Sequence, residues 1–255
     1  MSKAPAVDYA VRIIEFLADS GEGAGISDIC NGLSINKNAI SRVLDALLEK
    51  KWVYLSDPGQ KKYRLTAKPF SVVSKSVEKN SVVNISRPYL EQIHRALGDS
   101  VYLGIREKHS VLYLLHFDSI KDVRINGCVG GEYPLHCSAP GKILLSYAGR
   151  ENMEEYFREP LAKRTENTIV SLDDFFPEAD RIRKTGRAID DEEFAKGILC
   201  ISCPLLDSAG QAVAAIGISS LTIYDTVDSL IRDKYPILRE AARSISLSLG
   251  YREET

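Results

Sequence analysis

Nowhere in this sequence do apolar residues run on for the roughly 18 positions of a membrane span, so no spanning helix is expected. The N-terminal stretch MSKAPAVDYAVRIIEFL carries Asp8, Arg12 and Glu15 among its apolar residues, which argues against a signal peptide. The five cysteines are odd in number and irregularly spaced, so no disulfide framework is expected and a reducing compartment, the cytoplasm, is the expected location. An excess of either charge is missing too: 33 basic against 35 acidic residues leave a net of −2. That total excludes no partner, because the distribution of charge matters more. Internal repeats and low-complexity tracts are absent.

What is present is enough chain for two domains, 255 residues with 44% apolar content. The organising stretch is ISDICNGLSINKNAISRVLDALLEKKWV, residues 26–53. Ser27 is positioned to cap a first helix with apolar Ile29, Cys30 and Leu33, and Asn36 to cap a second with Ile40, Val43, Leu44, Leu47 and Leu48 on one face. Only Ser34 and Ile35 separate them, so the helices must cross steeply, as in a helix-turn-helix. Upstream, Val7, Ala10, Val11, Ile13, Ile14 and Leu17 form one face of a helix that the glycines at 21, 23 and 25 end. Downstream, residues 52–55 and 62–65 read as two strands around the breaker-rich turn 56–60. Three helices and a hairpin make a winged helix-turn-helix.

The second helix turns Lys37, Asn38, Ser41 and Arg42 outward, donors suited to phosphates and base edges of a major groove. The wing adds Gln60, Lys61 and Lys62, suited to lie over phosphates or in a minor groove. Charge follows the same division: residues 1–35 carry two bases against five acids, residues 36–64 seven bases against three acids. The positive surplus lies on the elements that would touch DNA. A winged-helix protein-interaction module is the competing reading.

Residues 67–83 read as a linker with Phe70, Val72, Val73, Val77, Val82 and Val83. A long helix over 84–97 follows, with Pro88 in its first turn and Gly98 closing it. Beyond it, 100–106 and 110–116 read as a strand pair, 122–126 as a further strand, 198–205 and 212–219 as two late strands, and 139–147, 152–157, 172–184 and 227–249 as helices. Hairpin-linked strands with interspersed helices predict an α+β fold with a largely antiparallel sheet, an arrangement that readily encloses a small-molecule pocket.

Two motifs carry a family resemblance: VGGEYPLHCSAPGKILLSYAG at 129–149, and AIDDEEFAKGILCISCPLLDSAGQAVAAIGISS at 188–220. With the winged helix before them, the chain resembles the IclR-type transcriptional regulators over essentially its whole length. The resemblance implies a DNA-binding domain over 1–66, a linker over 67–84, and a GAF-like or profilin-like effector domain over 85–251. It also implies dimers joined through the DNA domains, often paired into tetramers, that repress or activate catabolic operons. The effector would lie at the helix start Ala139, Pro140 and Gly141, with Asp190, Cys200 and Ser219 at matching pocket positions. Pro140 lacks an N–H, so one expected donor is missing there. Gly217 departs from a family serine and is expected to leave room in the pocket, while Ile198 brings apolar surface to it. The helix start favours an anion, and an ionised Asp190 would repel a second carboxylate. The expected ligand is therefore a small hydroxylated or aromatic monocarboxylate.

Other chemistry fits poorly. Gly141-Lys142 is no phosphate loop, since His136 and Ile143 stand where that motif needs glycine and Ser or Thr. Cys200 and Cys203 face opposite sides of a strand, so no shared metal is expected, and no cofactor is. His136, Ser138, Ser202 and Asp190 could be drawn as a hydrolytic group, yet no nucleophile elbow occurs and no enzyme is expected. A C-terminal domain that only oligomerises is the alternative to a ligand sensor.

Overall fold

The computed structural model describes residues 4–57, 61–72 and 81–252. The chain divides into two compact units, Met1–Lys79 and Asn80–Thr255. The expected linker positions Val73 and Val77, and Gln60 on the wing, lie outside the described residues.

The first unit runs α1 (Pro5–Asp19), α2 (Ile26–Leu33), α3 (Lys37–Glu49), β1 (Val53–Asp57) and β2 (Lys62–Leu65). Its core joins Ile13, Leu17, Ile29, Ile35, Ile40, Val43, Leu44, Leu47, Val53 and Tyr63. In α1, Ile13 and Leu17 are buried in this core and Tyr9, Ala10 and Ile14 pack against it, whereas Val7 and Val11, also expected on the inward face, are 64% and 49% exposed. Asn36 caps α3 as expected, its Oδ1 accepting the Ala39 N–H at 2.9 Å. The expected cap of α2 needs correction. Gly25, not Ser27, is the cap residue, and its N–H donates to Asp28 Oδ2 at 2.9 Å. The start is moved forward because Ala24 and Tyr63 exchange backbone hydrogen bonds of 3.0 and 2.8 Å, pinning this loop to β2. Gly23, at φ +82°, makes the approach possible, since a Cβ there would lie 2.7 Å from the Tyr63 carbonyl oxygen. The turn between α2 and α3 is sharp because Ser34 takes the left-handed conformation, φ 54°.

The second unit holds α4 (Ser81–Leu97), β3 (Ser100–Glu107), β4 (Ser110–Phe117), β5 (Glu132–Pro134), α5 (Ala139–Tyr147), α6 (Arg150–Tyr156), α7 (Leu172–Thr185), β6 (Ala188–Asp191), β7 (Ile198–Leu206), β8 (Ala212–Leu221), α8 (Val227–Ser229) and α9 (Tyr235–Ser248). Its strands form one antiparallel sheet in the order β5-β4-β3-β8-β7-β6. Helices α5 and α7 cover one face and α4 and α9 the other. The expected strand over 122–126 is not formed; residues 118–131 are irregular. The short edge strands β5 and β6, unforeseen from periodicity, cap the two sides of the sheet instead. The last helix begins at Val227 as expected, but Leu230–Lys234 forms a π turn before α9. Widening that turn brings Lys234 inward, where its ammonium meets Asp225 at 2.5 Å and Asp99 at 2.6 Å.

Candidate functional site

On the first unit, α3 presents Lys37, Asn38 and Arg42 fully to solvent and Ser41 half-buried. The opposite face of α3 is spent on the core through Ile40, Val43, Leu44 and Leu47. Among the described residues, none of these four polar side chains has an intramolecular hydrogen bond or ion pair, so their donors are available to a partner. Lys61 is exposed at the wing with φ 51°, and Lys62 is half-buried beside it, its carbonyl accepting the Ser56 hydroxyl at 3.2 Å.

On the second unit, sheet register builds a polar row. Asp190 on β6 pairs with Cys200 on β7, Cys200 with Ser219 on β8, and Ser219 with Ser100 on β3. Residues directly opposite across neighbouring strands share a face, so the four stand side by side. The Cys200 thiol and the Ser219 hydroxyl are 3.1 Å apart, and Ser100 Oγ accepts the Ser119 N–H at 3.0 Å. Burial pushes the Cys200 thiol well above its ordinary range. The row forms the floor of a cavity of about 30 Å³. Its walls are Tyr113, Tyr133, Phe194 and His116, closed by Ile125 and Gly127 of the irregular segment and by Ser138, Ala139 and Pro140 at the start of α5. The Tyr113 and Tyr133 rings stack with centroids 4.2 Å apart. Burial, more than the opposing influence of Asp118, lowers the His116 pKa, which favours a neutral imidazole. At 10–15 Å³ per water the cavity holds about two waters, so anything larger must displace side chains.

Ala139, Pro140, Asp190, Ile198, Cys200 and Ser219 thus meet at one cavity, while Gly141 lies outside its lining. Gly141 serves packing instead: a Cβ there would fall 2.5 Å from Leu135 Cα and 2.6 Å from the Pro134 carbonyl. The helix start is poor in donors, as Pro140 leads one to expect. Ser138 caps it, its Oγ accepting the Gly141 N–H at 3.2 Å, and Pro140 has none to give. That leaves the Ala139 N–H without a partner among the described residues. Gly217 opens no space in the cavity. A Cβ there would stand 2.3 Å from Tyr102 Oη and 2.4 Å from Ser202 Oγ, which bond each other at 2.7 Å across the glycine.

Behind the cavity lies a cluster that sequence reasoning missed. Lys142, 1% exposed, bonds Glu193 and meets Glu178 at 3.0 Å; Glu178 is held in turn by Arg181 at 2.7 Å. Asp190 Oδ1 accepts the backbone N–H groups of Glu193 at 2.8 Å and Phe194 at 3.1 Å. Burial outweighs these bonds and the Lys142 charge, pushing the Asp190 carboxyl up to about 6 and the Glu193 carboxyl up to about 7. Burial also acts on Glu178, but Arg181 and Lys142 together hold it below its ordinary range. The segment before α7 straps this loop down: Thr168 Oγ1 donates to the Glu193 carbonyl at 2.7 Å, and the Arg164 guanidinium lies 4.2 Å from the Phe194 ring centroid. No local signal marks the cluster, since the Lys142–Glu193 pair is 51 residues apart in sequence.

No hydrolytic group assembles. His136 bonds Tyr156 Oη at 2.9 Å and the Ala162 carbonyl at 3.2 Å, Ser138 donates to the Pro134 carbonyl at 2.6 Å, and Ser202 is tied to Tyr102. Cys200 lines the cavity while Cys203 lines a cleft against α9. Among the described residues no group of three metal-binding side chains is placed to hold an ion, and no helix is long and apolar enough to cross a membrane.

Residues 6–56 match the IclR helix-turn-helix domain and residues 74–247 the C-terminal domain of bacterial IclR transcriptional regulators. The DNA-binding transcriptional repressor YiaJ of Escherichia coli K12 is 30% identical over 94% of this chain and 86% of its own length. The crystal structure of the Thermotoga maritima IclR, 25% identical, superposes with a TM-score of 0.84 over 97% of this chain and 99% of that one. An IclR homologue from Microbacterium hydrocarbonoxydans, solved with 4-hydroxybenzoate, is 21% identical and shares the fold at a TM-score of 0.82 over 96% of this chain and 98% of that one.

Proposed function

The chain belongs to the IclR family of transcriptional regulators, DNA-binding proteins with an effector domain rather than enzymes, and from that premise we propose that it controls a catabolic operon in response to a small hydroxylated or aromatic monocarboxylate. Lys37, Asn38, Ser41 and Arg42 read the operator's major groove, and Gln60, Lys61 and Lys62 hold phosphates. One winged helix contacts too few base pairs to discriminate within a genome, so the working unit is a homodimer or homotetramer in the cytoplasm.

The observation that carries the ligand class is the row Asp190–Cys200–Ser219–Ser100 facing the start of α5 and walled by Tyr113, Tyr133 and Phe194. The row offers hydrogen-bonding partners for hydroxyls, the aromatic walls suit a ring or short carbon skeleton, and the Ala139 N–H with the helix dipole favours a carboxylate. A bound hydroxylated aromatic acid in the Microbacterium homologue is consistent with this class. The cavity's small volume favours the competing reading, a domain that only oligomerises. A thermal-shift panel of small organic acids followed by calorimetry separates the two. The sensor reading expects binding that Ser219→Ala weakens by about 1 kcal/mol, the worth of one hydrogen bond. A panel without a shift leaves the oligomerisation reading standing.

A further inference from the structure

The ionisable groups around the cavity do not balance. Lys142 from α5 is the buried cation, and it faces three carboxylates: Glu178 from α7, Glu193 from the loop after β6, and Asp190 on β6. Arg181, 42% exposed, answers Glu178 from the solvent side. Arg164 lies over Phe194 with its guanidinium on the exposed side, and Asp191 is exposed. His116 on β4 lines the same cavity, and burial lowers its pKa, so it enters the balance as a neutral imidazole. The remaining groups facing Asp190 are Cys200 on β7, Cys137 before α5, and the phenols of Tyr102 on β3 and Tyr113 on β4. All four are raised by burial and stay uncharged at neutral pH. With every carboxyl ionised, the cluster holds one negative charge that nothing buried answers. Glu193 Oε2 is buried without a hydrogen-bond partner. Asp190, 1% exposed, has its Oδ1 saturated by two backbone donors, so its other oxygen is the one left for the cavity.

A ligand carboxylate entering beside this cluster adds a second uncompensated charge in a site nearly shut off from water. We propose that the pocket admits a monoanionic ligand only together with one proton, taken from solvent and held by the Asp190–Glu193 pair. The inference rests on the cavity being the effector site. A protonated Asp190 donates its O–H to the ligand carboxylate, so the residue expected from the sequence to repel a carboxylate becomes its partner. The proton is cheap because burial has already brought the two carboxyls to about 6 and about 7. A dicarboxylate would need both carboxyls of the pair protonated at once, the second at the lower value of about 6. The pocket therefore discriminates by net charge as well as by shape.

The test is calorimetry of the full chain with sodium benzoate and sodium 4-hydroxybenzoate, run in buffers of low and high ionisation enthalpy from pH 6 to 9. Proton uptake of more than about half an equivalent at pH 8, and affinity falling toward tenfold per pH unit above pH 7, are expected from the linkage. Asp190→Asn and Glu193→Gln, separately and together, should reduce the uptake, and the double variant should bind with affinity independent of pH. Should the double variant fail to fold, His116→Gln decides: uptake undiminished in it keeps the proton on the carboxyl pair, and uptake lost in it overturns the inference. Tight binding by the wild type with no proton uptake overturns the inference and leaves the effector reading intact. No binding of either acid, or of any acid in the thermal-shift panel, removes the effector reading and the inference with it.

Discussion

The two units treat charge in opposite ways. On the first, Lys37, Arg42 and Lys61 stand in solvent with no partner among the described residues. On the second, Lys142, Asp190 and Glu193 are buried and bonded to one another. Exposed cations keep their hydration and suit a polyanion, where displaced counterions supply the affinity. Buried carboxylates have surrendered hydration, so their ionisation is open to change and a single small molecule can alter it. On the proposals above, the first surface binds by charge and the pocket selects by charge.

The largest expected effect comes from breaking the buried side. Lys142→Ala strands Glu193 without its ammonium partner and leaves Glu178 to Arg181 alone, and thermal or urea unfolding should show a loss of about 3–5 kcal/mol. Next comes pH. Folding raises the Glu193 carboxyl from 4.5 to about 7, so its stabilising share is intact below pH 4.5 and is lost as the pH climbs through 7. Wild-type stability relative to Glu193→Gln should fall by about 2–3 kcal/mol between pH 4.5 and pH 8, read from urea midpoints of both proteins. An equal pH profile for the two would show that Glu193 is not perturbed.

On the exposed side the effects are smaller in stability and visible in binding. Arg42→Ala should leave unfolding unchanged and weaken operator binding by about 1–3 kcal/mol in a gel-shift titration. Unchanged affinity would mean that α3 turns another face to DNA. Lys61→Ala should weaken all DNA sequences alike and lower the slope of log affinity against log salt by about one.

The sequence exposed the first unit more fully than the second, for a physical reason. Helix periodicity and caps are local, so α3, its Asn36 cap and its polar face could be placed from neighbouring residues. Where a long-range contact intervened, local reading slipped: the Ala24–Tyr63 bridge moved the start of α2. In the second unit, Asp190, Cys200 and Ser219 were found through family resemblance, while their alignment in one row is a product of register between β6, β7 and β8. The Tyr102–Ser202 bond that fills the space at Gly217 spans 100 residues. Ser100 and Phe194 were passed over because neither carries a local signal.

On the proposed function, an acid held over the Asp190–Ser219 row governs the DNA affinity of α3. This control is tested most directly by fluorescence anisotropy on DNA from upstream of the chain's own gene, with and without the acid that gives the largest thermal shift, for the wild type and for Ser219→Ala. The account predicts that a saturating acid changes wild-type DNA affinity by about five- to 150-fold, the range of ordinary coupling free energies. It predicts that the variant needs a higher acid concentration for the same change. An acid that binds the wild type while its DNA affinity stays fixed would mean that the pocket does not control α3.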